Sequence, residues 1–283
     1  SIGNQIDLTI SDYLNFLKDR DEARVFALYI EGFLPGDGLA LVRAARAITC
    51  QQGKAIVAYK AGRSAEGRAA TASHTASVAG DYAVSRSLLD LAGVMVTDTI
   101  DEFEDTIRGL CFLADKKVQG NRVGLISNAG FECVIMSDSI AREPALELAR
   151  LSSATRERIA KALDPLGITR LQDIRNPMDV TPVADDAAFA ACVEAFLEDE
   201  GVDCAVVSPL PMSPAMNTLA PSESHGEDLM REGSTPRRLI DLFRKTDKPF
   251  VVSIDSGEPY RPLKELLERE GVPVFRRCDE AAA

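Results

Sequence analysis

The sequence predicts an α/β fold made twice over, each half around a mainly parallel sheet. Short β-branched runs alternate with longer amphipathic stretches, as strand, helix, strand units require. The pattern also restarts after residue 121, and 283 residues fit two domains of ordinary size slightly better than one.

Arg24 to Ile30 (RVFALYI), Lys54 to Tyr59 (KAIVAY) and Val94 to Val96 read as buried parallel strands of the first half. Helices are expected at Leu39 to Gln51, Tyr82 to Leu91 and Glu102 to Leu113, where apolar residues recur three and four apart. The polar, glycine-bearing stretch Lys116 to Asn121 (KKVQGN) marks the join, giving domains 1–118 and 119–283. The second half opens with strand Arg122 to Ser127 (RVGLIS) and a long helical region from about Cys133 to Leu163. Strands follow at Cys204 to Ser208, Phe250 to Ile254 and Val272 to Phe275. Pro209 to Arg237, with five prolines, reads as a flexible or lid-like excursion. Asn176 to Pro182 (NPMDVTP) reads as a tighter proline-bounded loop.

Composition removes several function classes. A formal charge of −12 opposes a nucleic-acid surface, which needs clustered Lys and Arg. No apolar run reaches the roughly 20 residues of a membrane span, and Ser1 to Asn4 has neither a basic start nor an apolar signal core. A cytoplasmic protein is therefore expected. Cys50, Cys111, Cys133, Cys192, Cys204 and Cys278 are scattered without metal or redox spacing, so reduced thiols are expected. With only His74 and His225 as imidazoles, no protein-held transition metal is expected.

The segment Lys60-Ala61-Gly62-Arg63-Ser64, followed by Ala72-Ser73-His74-Thr75-Ala76-Ser77-Val78-Ala79-Gly80, runs from a strand end to a helix start near Asp81. Ligands of open α/β sheets bind at the carboxyl ends of strands. Small neighbours would leave His74 exposed in a loop beside the hydroxyls of Ser73, Thr75 and Ser77, a setting that suits phosphoryl acceptance. A polar loop histidine is the alternative that spacing alone leaves open. Glu31, ending the strand at Tyr29-Ile30-Glu31-Gly32, falls on the same sheet edge or is a solvated turn carboxylate. Asn128, Ala129 and Gly130, between a strand and a helix, form a second candidate phosphate site through backbone N–H groups. Lys60 and Arg63 are either anion-attracting or ordinary surface charges.

The string SHTASVAG at Ser73 to Gly80 resembles the SHTGSLAG-type loop of ADP-forming acetyl-CoA synthetases, in the succinyl-CoA synthetase superfamily. KAGRS, YIEG and the opening SIGN also resemble that family's flavodoxin-like domain. The resemblance implies two flavodoxin-like, three-layer domains and an ADP-forming acid–CoA ligase in which His74 carries the phosphoryl group. It further implies that Glu31 hydrogen-bonds the ring nitrogen that is not phosphorylated. ATP or ADP, CoA and Mg2+ would bind mainly outside this chain, on a CoA-binding domain and an ATP-grasp domain of the same polypeptide or a partner subunit. An oligomer acting on a small carboxylic acid or its acyl-CoA is expected. In relatives SIGN follows a first strand and a serine-glycine turn, so the resemblance also implies a fragment of a longer protein or a strand supplied by another segment. Relatives carry NAGGPG where this sequence reads Asn128-Ala129-Gly130-Phe131-Glu132-Cys133. Here Glu132 would oppose a nearby phosphate unless it points away. Two rivals stand beside this reading. One is a non-catalytic regulatory module, such as those fused to protein acetyltransferases. The other is a flavodoxin-like electron carrier, for which stacking aromatics are scarce.

Overall fold

The computed structural model describes residues 5, 7–74, 81–170 and 172–282, with the side chains of 72–74 and 170 left aside. The chain divides into two compact units, Ser1–Ala114 and Asp115–Ala283.

The first unit runs α1 (Ile10–Leu17), β1 (Val25–Ile30), α2 (Asp37–Arg46), β2 (Ala55–Lys60), α3 (Ala65–His74), α4 (Tyr82–Leu91), β3 (Met95–Thr97) and α5 (Ile100–Phe112). Its three strands pair in parallel in the order β1-β2-β3. Alternation along β1 turns Phe26, Leu28 and Ile30 to one face. That face packs with Ile56 and Ala58 of β2 against Ile10 and Leu14 of α1, Leu41 and Ala45 of α2 and Leu89 of α4. Burial of these side chains is the main cohesive term of the unit. The helix starts are written locally: Thr99 and Glu102 form a reciprocal capping box at α5, and Asp81 accepts from Val84 N at α4.

The second unit runs β4 (Arg122–Ser127), α6 (Gly130–Ile140), β5 (Glu147–Leu148), α7 (Ser153–Leu163), β6 (Met178–Asp179), α8 (Asp186–Glu198), β7 (Cys204–Ser208), α9 (Thr235–Lys245), β8 (Phe250–Ser253), α10 (Arg261–Arg269), β9 (Val274–Phe275) and α11 (Cys278–Ala282). Its six-stranded sheet has the order β5-β4-β7-β8-β9, with β6 also on β4, and every pairing is parallel. Two parallel sheets in an α/β chain agree with the expected pair of flavodoxin-like domains. Lys116 and Lys117 of the expected join are held by the second unit. Lys116 Nζ donates to the carbonyls of Phe243 and Thr246 over the Phe243 ring, and Lys117 N donates to Asp247 O.

Two sequence expectations fail in the second unit. The helical region from Cys133 to Leu163 is two helices separated by β5, because Pro144 cannot continue a helix and Ser152 caps a new one at Thr155 N. The proline-rich excursion is packed rather than lid-like. Met216 and Thr218 are buried, and Glu227 Oε2 accepts from Thr218 N, Thr218 Oγ1 and Leu219 N.

At the amino end of the sheet, Asp203 accepts from Arg122 Nε and Nη2 at 2.8 Å each and from Arg122 N at 3.0 Å. The guanidinium is the largest influence on its carboxyl, which it holds down at about 2. Because the folded pKa lies below the unfolded one, this carboxylate stabilises the fold above pH 4, and the contribution is lost as pH falls through about 2. Asp203→Asn is expected to lower stability at pH 7 by about 2 kcal/mol. The difference from the native protein should shrink as pH falls from 4 towards 2, read by urea denaturation across that range.

Candidate functional site

Parallel register places Tyr29 opposite Tyr59 and Ile30 opposite Lys60, so Glu31 and Ala61 leave the sheet side by side at its carboxyl edge. The two tyrosine rings stack at 5.7 Å and 7°. Burial first, then the Glu31 charge, raises the Tyr29 phenol above its ordinary value. Gly62 turns the chain out of β2 with φ of 83°, a conformation that side chains rarely adopt. Ser64 then caps α3 by accepting from Gly67 N at 3.0 Å.

The segment expected as one loop from the end of β2 to Asp81 is therefore helical from Ala65 to His74. Alanines at 65, 69, 70 and 72 favour helix, although such small residues suit a loop as well. His74 is the last residue of α3, and Ser73 precedes it. Their side chains, and Thr75 and Ser77 altogether, lie outside the described residues. Tyr29, Glu31, Tyr59, Arg63, Gly67 and Thr71 line a cleft of about 660 Å³, so Glu31 and residues of the helix leading to His74 border the same cleft.

The two basic candidates separate. Lys60 is buried, and its Nζ donates to Glu31 O at 3.0 Å and Ala61 O at 2.7 Å, near the Phe33 ring. Burial lowers its pKa, and the Glu31 charge opposes that shift. Lys60 is thus a clamp across the ends of β1 and β2, and sequence reasoning missed this role because alternation alone does not show where a long side chain ends. Arg63 is exposed and pairs with Asp98 at 3.3 Å.

In the second unit Asn128 is buried. Its amide donates to Leu210 O at 3.0 Å and accepts from Leu210 N at 2.6 Å, tying the loop after β4 to the chain after β7. Ala129 N donates to Ser127 Oγ at 3.0 Å. A Cβ added at Gly130 would lie 2.9 Å from Asp179 Oδ2. A cleft of about 300 Å³ beside Gly130 carries Asp138, Asp173, Asp179 and Arg175. Of the candidate phosphate site, Gly130 therefore stands among carboxylates, while the Asn128 side chain and the Ala129 N–H are already engaged. Asn176, before the cis Pro177, donates to Val123 O and Ala149 O and accepts from Leu125 N, so the NPMD segment acts as a structural turn. His225 forms an isolated bridge with Ser222. Among the described residues no three His, Cys, Asp or Glu side chains are grouped so that they could hold a metal ion, and no helix is long and apolar enough to cross a membrane.

Residues 1–110 match the family model described as the succinyl-CoA ligase like flavodoxin domain. The whole chain is 31% identical to acetate–CoA ligase (ADP-forming) II subunit alpha of Pyrococcus furiosus, covering 57% of that protein. It is 29% identical to the subunit alpha of ligase I of the same organism, with 99% of this chain and 55% of that one aligned. A solved structure of acetyl-coenzyme A synthetase 1 from Candidatus Korarchaeum cryptofilum, in complex with phosphate and ADP, superposes with a TM-score of 0.80 at 22% identity. That match covers 97% of this chain and 54% of the other. The chain spans about half the length of the relatives it matches.

Lys60→Met is expected to leave the Glu31 and Ala61 carbonyls without their buried donor, costing about 1–3 kcal/mol. Hydrogen exchange should quicken in peptides covering 25–31 and 55–61 and stay unchanged in the second unit.

Proposed function

We propose, starting from a chain that is an ADP-forming acetyl-CoA synthetase alpha-subunit-like protein with a succinyl-CoA ligase-like flavodoxin domain, that its first unit carries the phosphoryl group of an ADP-forming acid–CoA ligase on His74. The observation that carries this reading is the shared cleft, lined both by Glu31 and by residues of the helix that ends at His74.

In the proposed sequence, an acyl-CoA and phosphate give an acyl phosphate and free CoA. An imidazole nitrogen of His74 then attacks phosphorus, the P–O bond to the acyl carboxylate breaks, and the acid leaves. ADP takes the phosphoryl group from the imidazole and becomes ATP. Glu31 accepts the N–H of the other ring nitrogen, which fixes the tautomer and stabilises the cationic ring during transfer. Catalysis of this kind depends chiefly on positioning and charge stabilisation. Ser73, Thr75 and Ser77 are assigned to hold the phosphate oxygens. CoA, ATP or ADP and Mg2+ are assigned to a CoA-binding domain and an ATP-grasp domain beyond these 283 residues, in the same polypeptide or a partner subunit. The Pyrococcus furiosus relatives, named as alpha subunits, support that division of labour.

A second reading, a regulatory module without ligase activity, is favoured by the carboxylates around Gly130. Steady-state ADP formation from ATP, CoA and acetate by the full-length protein with its partner domains separates the two. The ligase reading expects acid-dependent and CoA-dependent turnover. It expects Glu31→Gln to lower kcat roughly 100-fold with KM for ATP within about twofold, because the amide oxygen can still accept the ring N–H but no longer supplies the charge that stabilises the cationic ring. Absence of turnover on any carboxylic acid offered, with ATP bound, favours the regulatory reading.

A further inference from the structure

The winding of the second sheet reverses between β4 and β7, because β5 and β6 lie on one side of β4 while β7, β8 and β9 lie on the other. Ligands of open α/β sheets are held in the crevice beyond the strand ends at such a reversal, and anions are drawn to the helix N-terminus that follows. Ser127 ends β4, Ser208 ends β7, and the two are register partners.

The crevice is filled from within. Glu132, in the first turn of α6 and fully buried, turns its carboxyl between the two strand ends. Its Oε2 accepts from Ser127 Oγ at 2.5 Å and from Ser208 Oγ at 2.7 Å, and Ser253 Oγ of β8 donates to Ser208 Oγ at 2.7 Å. One carboxyl thus links the ends of three adjacent strands to a helix N-terminus. Glu132 Oε1 is buried without a hydrogen-bond partner among the described residues, a costly state for a polar atom. Burial raises the Glu132 pKa, the two serines oppose that shift, and Asp255 adds to it.

We propose that the Glu132 carboxyl is a built-in plug, occupying the place at the sheet reversal, between the ends of β4 and β7, that a phosphate would otherwise take. This crevice is then closed to phosphate. Of the two sheet edges in this chain, phosphoryl acceptance then belongs to that of the first unit, a consequence that rests on the His74 reading, whereas the closure does not.

The test is hydrogen exchange with mass spectrometry on the full-length protein, with and without inorganic phosphate, read in peptides covering 122–140. Native protein and Glu132→Gln, whose amide oxygen can accept from the same two serines, are expected to show no phosphate effect. Glu132→Ala is expected to gain at least twofold protection there at millimolar phosphate, with Glu132→Ser as the second opening variant should the alanine form not fold. Phosphate protection of these peptides in the native protein overturns the proposal. So does a folded opening variant that stays unresponsive, since Glu132 would then not be what excludes the anion. Failure of native His74 to accept phosphate from ATP, scored on the same preparation, sinks the ligase reading and leaves the closure standing.

Discussion

Parallel pairing of β1 with β2 is the constraint on which the first unit depends. Strands that run the same way deliver their carboxyl ends to one edge, and the register of Ile30 with Lys60 brings Glu31 out beside the turn at Gly62. Lys60 holds that edge together by bonding carbonyls on both exiting chains. A buried ammonium is tolerated there because it trades water for two carbonyl acceptors near an aromatic face. The cleft lined by Glu31 and α3 opens beside those clamped ends.

The second unit uses the same parallel logic differently. Its sheet also collects strand ends at one edge, yet Ser127, Ser208 and Ser253 are joined there by a carboxyl from the chain itself. Asn128 and Asn176 add side-chain bonds from neighbouring loops to backbone. This edge is organised by internal hydrogen bonds, while the edge of the first unit is left open as a cleft.

The sequence was readable where chemistry is local. VFALYI, RVGLIS and CAVVS are continuous apolar runs, so β1, β4 and β7 stand within a residue of their expected positions. The strands β5 and β6 escaped notice because two residues carry no periodicity. Helix α3 was hidden because its small residues look the same in a loop, and α6 and α7 merged because apolar spacing runs on past Pro144. Glu31 could be placed from the end of its own strand. The inward turn of Glu132 could not, since its partner Ser208 lies 76 positions away, and only the pairing of β4 with β7 brings them together. The domain pattern and the Glu31 edge were thus local properties, while the closure of the second edge is a property of topology.

The central claim, that His74 carries a phosphoryl group, is tested most directly by incubating the full-length protein with γ-labelled ATP and Mg2+ in native and His74→Ala forms. The account predicts acid-labile, base-stable label on the native protein alone, discharged when ADP is added. Label of equal amount on His74→Ala, or none on native protein whose nucleotide domain binds ATP, contradicts it.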